Sequence, residues 1–143
     1  MDCLTYHPMQ KAALLGMALF LCAGATPVHA NAIPGRKPVI CHNQVLQTGV
    51  ASVYANMLEG NRTANGETFR QAAFTAAHPT LPFNTLLQVK DTTTGRTVMV
   101  RVNDRGPFVA NRILDLSSAA RRALGHKQSG LMKVSLSRCD GGN

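Results

Sequence analysis

Apolar and polar residues alternate along several short stretches of this chain, and helical spacing appears in only one. In residues 97–103, Val98, Val100 and Val102 take one face and Thr97, Met99, Arg101 and Asn103 the other, the period of two that marks a strand with one buried face. Residues 132–136 alternate in the same way. Residues 86–90 form a further strand, joined to the one at 97 by Asp91-Thr92-Thr93-Thr94-Gly95, whose Asp and Gly suit a hairpin turn. Residues 50–54, 74–77 and 113–116 are short apolar runs of strand type, and residues 60–68, rich in Gly, Asn and Thr, are a loop. One helix is expected, capped by Ser117 or Ser118, running to Leu124 and stopped by Gly125 in a left-handed conformation. Short strands at regular spacing with a single short helix predict a small β-barrel.

The pattern changes at the amino terminus. Residues 12–25 form an almost unbroken small or apolar run of 14 residues, where crossing a bilayer takes about 20. Lys11 precedes it and Val28-His29-Ala30 supplies the small residues of a cleavage site, so the segment reads as a signal peptide removed after Ala30. An uncleaved helix and a lipoprotein acylated at Cys22 are the alternatives; the bulky Leu21 stands where acylation needs a small residue. Residues 31–47 hold Pro34, Gly35 and Pro38 among polar residues and read as a leader ordered only near Cys41. The expected organisation is a signal peptide at 1–30, a leader at 31–47, one barrel domain at 48–139 and a tail at 140–143. The product would be a periplasmic or extracellular monomer with no stable membrane span.

Charge and cysteines refine this picture. The chain has 15 Lys and Arg against 7 Asp and Glu, a formal charge of +8. Residues 1–30 contain only Lys11 and Asp2 of these, so the surplus belongs to the exported part. A basic chain suits a polyanion or simply stays soluble. Export favours an acidic wall polymer over nucleic acid, and no aromatic side chains are interleaved with the scattered basic ones to stack bases. Cys3 and Cys22 leave with the signal. Cys41 and Cys139 then form an isolated pair in an oxidising compartment, expected as one disulfide with two free thiols as the alternative. Such a bridge stabilises by up to about 4–5 kcal/mol in the chain-entropy model.

Three residues carry candidate chemistry. Asp104 ends the strand of residues 97–103 and precedes Arg105-Gly106-Pro107, so a rigid turn holds a carboxylate at the barrel rim, where it either works or caps its own loop. Glu67 closes Thr63-Ala64-Asn65-Gly66-Glu67, and His78 follows the run 74–77. Glycosidic cleavage needs a carboxyl group whose pKa is raised by burial or by a like charge, and a second carboxylate and a histidine can provide that tuning. His42, His78 and His126 lie far apart with no ligand-type spacing, which disfavours a metal-dependent hydrolase. No metal or cofactor is called for.

Thr63-Ala64-Asn65-Gly66-Glu67, Ala76-Ala77-His78-Pro79-Thr80-Leu81-Pro82, Asn103-Asp104-Arg105-Gly106-Pro107-Phe108 and Arg112-Ile113-Leu114-Asp115-Leu116-Ser117, in that order, resemble the motifs of the rare lipoprotein A septal-ring lytic transglycosylases. The resemblance implies a mainly β fold, a six-stranded double-psi β-barrel with one or two short helices, shared with expansins and some endoglucanases. It also implies endolytic cleavage between N-acetylmuramic acid and N-acetylglucosamine in peptide-stripped peptidoglycan strands, leaving a 1,6-anhydro end. Carried across, it makes Asp104 the acid/base, with Glu67 tuning or sharing that role and His78 positioning substrate or proton. Tyr54, Asn65 and Arg105 become substrate contacts, Arg105 with bracing of its loop as the alternative, and Asp115 is assigned to structure. The family's Trp-Tyr-Gly is Val53-Tyr54-Ala55 here, which removes an aromatic sugar platform. That loss supports the rival expectation of a non-catalytic, expansin-like module that binds or loosens glycan.

Overall fold

A computed structural model describes residues 37–128 and 130–141. The strands are β1 (Ile40–Val53), β2 (Thr75–Ala77), β3 (Leu86–Asp91), β4 (Thr97–Asp104), β5 (Arg112–Leu116) and β6 (Leu131–Asp140), with one helix, α1 (Ser118–Ala123). A single 3-10 turn, Asn56–Leu58, follows β1. The six strands close into a barrel in the order β1-β5-β2-β4-β3-β6. β1 runs parallel to β5 and β2 to β4, and the remaining neighbours are antiparallel. Closure gives every strand two neighbours and leaves no free edge.

The interior follows the alternation. Val98, Val100 and Val102 of β4 point inward with Leu87 and Val89 of β3, Leu114 and Leu116 of β5, and Val134 and Leu136 of β6. Truncating any of these leucines to alanine would cost about 2–5 kcal/mol through lost burial and a cavity. Asn103 shares the outward face with Arg101, and both reach Glu67 Oε2, so it is buried beneath the 63–67 loop rather than in the core. The β2–β4 register steps from Ala76↔Val102 to Ala77↔Asp104, so Asn103 is the extra residue of a bulge.

The barrel also begins earlier than expected. Residues 40–47, assigned above to the leader, are the first half of β1, and Ile40, Cys41 and Val45 pair with Asp140, Cys139 and Ser137 of β6. This half-strand is exposed on both faces apart from Cys41, which is half-buried, so it has no inward stripe to betray it. Backbone pairing and the Cys41–Cys139 disulfide hold it, with His42 Nε2 2.7 Å from Asp140 Oδ2. The signal peptide at 1–30 and the cleavage site at Ala30 lie outside the described residues, as do 31–36 and the end of the tail. No helix among the described residues is long and apolar enough to cross a membrane.

α1 starts at Ser117, the first of the two candidate caps, whose side chain accepts from the Ala120 amide at 3.3 Å. Gly125 follows Leu124 with φ 89°, and a β-carbon there would lie 2.1 Å from Arg96 Nη1. Its left-handed backbone therefore favours glycine, while the crowding atom is the tip of the exposed Arg96 side chain, which can swing aside.

The β3–β4 turn is organised by Asp91, whose side chain is almost completely buried. Oδ1 accepts from the amides of Thr93 and Thr94 at 2.7 and 2.8 Å, and Oδ2 lies 2.5 Å from His126 Nε2. Burial disfavours the charge, but the Thr94 amide, the His126 ring and the Thr93 amide outweigh it and hold the carboxyl below its ordinary value. Asp91→Ala is expected to lower the unfolding free energy by about 2–3 kcal/mol at pH 7, measured by urea denaturation. A carboxyl with a depressed folded pKa contributes fully above its unfolded value and loses that contribution as pH falls through the folded one. The stability curves of the two proteins should therefore draw together in acid.

Candidate active site

Asp104 closes β4 and is held from three directions. Oδ2 accepts a 2.7 Å hydrogen bond from the Tyr54 hydroxyl, and Oδ1 accepts from the amides of Ala64 and Arg105, each at 2.8 Å. Its backbone carbonyl also accepts from the His78 amide at 3.2 Å. The carboxylate is thus fixed while remaining partly exposed, as expected for an acid on a strand end rather than in a mobile loop.

Tyr54 reaches it from just beyond β1, where its amide bonds the Leu116 carbonyl at 3.0 Å and its ring tilts against Phe69 with centroids 4.4 Å apart. Burial, then the hydrogen bond to Asp104, then the charges of Asp104 and Asp115 push its phenol far above the ordinary range. It is therefore a permanent neutral donor. This hydroxyl, expected to contact substrate, is bonded to the Asp104 carboxylate.

The 63–67 loop is folded around Asn65, whose Oδ1 accepts from Thr63 Oγ1 at 2.7 Å and from the Glu67 amide at 3.1 Å. Gly66, at φ 88°, supplies the left-handed residue of this turn. The arrangement aims the Ala64 amide at Asp104 and the Glu67 side chain at Arg101. Asn65, expected to touch substrate, directs its side-chain oxygen into the loop instead.

Glu67 is held as an ion pair in this geometry. Arg101 grips both its oxygens, at 2.8 and 2.7 Å, and Asn103 Nδ2 adds a third hydrogen bond at 3.1 Å. The Arg101 bonds first, and then the Asn103 bond, hold its carboxyl at about 2. Glycosidic proton donation needs the opposite displacement. The sequence spacing contains no sign of Arg101 as a partner, because only the fold brings it to a loop 34 residues away.

His78 is equally committed. It is buried; Nδ1 accepts from the Thr80 and Leu81 amides at 3.2 and 3.1 Å, so the proton sits on Nε2 and is donated to Gln47 Oε1 at 3.1 Å. Burial, and then the charge of Arg105, lowers its pKa and keeps it neutral. Its ring makes no hydrogen bond to Asp104, and it acts through the backbone at the turn. Arg105 takes the bracing role: Nη1 donates to the Leu81 and His78 carbonyls at 2.9 and 3.3 Å, and the guanidinium lies 3.8 Å over the Phe83 ring.

Asp115, assigned above to structure, is the carboxylate that stands opposite Asp104. Ala77 of β2 pairs with Asp104 on one side and with Asp115 on the other, placing the two across one short strand. Ser52 Oγ donates to Asp115 Oδ1, and a β-carbon added at Gly106 would lie 3.7 Å from Asp115 Oδ2 and 3.8 Å from the Phe108 ring. Its sequence signal was an acid between two leucines, Leu114 and Leu116, both fully buried; alternation turns that acid away from the core, and only the register shows what it faces. Phe108 itself is 86% exposed. No cluster of His, Cys, Asp and Glu suited to a metal occurs among the described residues.

Comparison with known proteins bears on this geometry. Residues 46–136 match the family model described as lytic transglycolase. A probable endolytic peptidoglycan transglycosylase RlpA of Synechocystis is 50% identical over 91 residues, covering 64% of this chain and 28% of that protein. The endolytic peptidoglycan transglycosylase RlpA of Campylobacter jejuni is 52% identical over 88 residues, covering 62% and 32%. The match spans about a third of the length of these relatives. Among solved structures, the apo expansin of Clavibacter michiganensis superposes with a TM-score of 0.51 at 27% identity, over 64% of this chain and 48% of that one.

The grip on Glu67 is testable by itself. In Arg101→Leu the Glu67 carboxyl should titrate near an ordinary glutamate rather than at about 2, followed by carboxyl carbon NMR. Because the pair is partly solvated, overall stability should fall by only about 1 kcal/mol.

Proposed function

The chain belongs to the lytic transglycolase family, and on that premise we propose that it is an endolytic peptidoglycan lytic transglycosylase. It acts between N-acetylmuramic acid and N-acetylglucosamine in peptide-stripped strands. The observation that carries this is the Asp104 carboxylate, fixed by three neutral donors and partly open to solvent. In the proposed reaction the C6 hydroxyl of muramic acid closes on its own C1 while the glycosidic oxygen departs. Asp104 gives a proton to that oxygen and takes one from the C6 hydroxyl, so it ends in its starting form and no water is consumed. Tyr54 and the Ala64 and Arg105 amides orient the carboxylate; Asp115 lies across Ala77 as the second carboxylate of the site. We assign Glu67 and His78 to positioning: one anchors the loop that supplies the Ala64 amide, and the other pins the turn after β2.

Export through a cleaved amino-terminal signal, action as a monomer and access to wall glycan from the periplasm or outside belong to the same proposal. They are supported by the apolar run at residues 12–25, by the disulfide and by the peptidoglycan-directed relatives. A second reading, glycan binding without cutting, is favoured by the likeness to an expansin and by the complete lack of tryptophan.

The full chain is expected to release 1,6-anhydro-muramic ends from peptide-free peptidoglycan, detected by mass spectrometry. Asp104→Asn should reduce that release by about 10²–10⁴-fold. Reducing ends in place of anhydro ends would identify a hydrolase, and binding without products would favour the expansin-like reading.

A further inference from the structure

A cleft of about 340 Å³ opens beside the ion pair that grips Glu67. Its walls include Asn84 just before β3, Leu86 at its start, Arg101 of β4, and Arg138, Cys139 and Asp140 at the end of β6. Leu86 pairs with Arg101 on one side and with Cys139 on the other, so three adjacent strands build it. Arg101 belongs to both places: its Nη1 donates to Asn84 Oδ1 at 2.9 Å and to Glu67 Oε1 at 2.8 Å. Arg101 and Asp104 are three residues apart on β4, about 10 Å along an extended strand. The cleft is therefore too far for the sugar ring at Asp104 and within reach of the rings that follow it along a polymer.

The lining favours a neutral polyol over an anion, because both guanidinium groups already face carboxylates. Arg101 is bound to Glu67 through both oxygens. Arg138 Nε lies 3.4 Å from Asp140 Oδ1, and Asp140 also meets His42. The surplus positive charge of the chain is not concentrated here. The cleft offers planar donors and acceptors in pairs, the Arg138 guanidinium with the Asp140 carboxylate and the Asn84 amide with Arg101, around apolar Leu86 and Cys139. Hydroxyl and N-acetyl groups, each needing both a donor and an acceptor, suit such a surface.

We propose that this cleft is a saccharide subsite for amino-sugar rings beyond the one at Asp104, joined to Asp104 by the Glu67–Arg101 pair. The identity of the sugar rests on the glycan-strand reading above. The test is calorimetric binding of a tetrasaccharide and an octasaccharide, both peptide-free peptidoglycan fragments, to the full chain carrying Asp104→Asn so that neither is cut. Arg138→Gln removes an exposed guanidinium, and Asn84→Gly removes an amide while keeping the left-handed backbone at φ 66°. The octasaccharide should bind more tightly than the tetrasaccharide, and each substitution should weaken the octasaccharide alone by about tenfold. Equal affinities for the two lengths, or equal losses for both, would overturn the subsite. Release of anhydro ends by the unsubstituted chain is scored separately. A length preference abolished by the substitutions without any cleavage leaves the subsite standing and removes the enzymatic reading, and cleavage without a length preference does the reverse.

Discussion

Both candidate carboxylates depend on β2, a strand of three residues, all buried. It pairs in parallel with β4 and antiparallel with β5, so its two backbone edges are filled by strands that differ in direction. Thr75, Ala76 and Ala77 are small enough for these neighbours to close over it. Neighbouring strands lie about 4.8 Å apart, and Ala77 therefore sets the spacing of Asp104 and Asp115, one on each side. Tyr54 arrives from β1, which flanks β5, and completes the group. Four strands, β1, β2, β4 and β5, meet at one point, and this convergence exists only once the barrel has closed.

That dependence explains which parts were legible in the sequence. Where a strand has one buried face its alternation announces it, and Val98, Val100 and Val102 of β4 lie on the inner face as expected. The cap at Ser117 and the stop at Gly125 are local devices and were equally readable. The first half of β1 was not, because it pairs through its backbone while its side chains stay largely in solvent. Asn103 lies on the face the alternation gives it, but its burial beneath the 63–67 loop was not readable, because the covering Glu67 lies 36 residues away. The place of Asp104 at a strand end was legible because strand and turn are contiguous with it, whereas Tyr54 and Ala64, which bond its carboxylate, are distant in sequence. The roles of Glu67, His78 and Asp115 depend on Arg101, Gln47 and Ser52. These partners lie at sequence distances for which no pattern exists.

The division of labour between the acids follows from what each is bonded to. Among the described residues no cation lies within ion-pair distance of Asp104; its donors are a phenol and two amides. Glu67, by contrast, is clamped by a guanidinium, and the neighbouring Arg105 is turned onto backbone carbonyls and the Phe83 ring. A carboxylate held by a cation must break a charged pair to accept a proton, and that cost falls on every turnover. A carboxylate held by neutral donors has no charged pair to break, and the phenol, fixed as a donor by burial and by the surrounding negative charge, keeps its own proton. The two arginines nearest this group are thus engaged elsewhere, Arg101 on Glu67 and Arg105 on backbone carbonyls and the Phe83 ring, and the Asp104 carboxylate is left to its neutral donors.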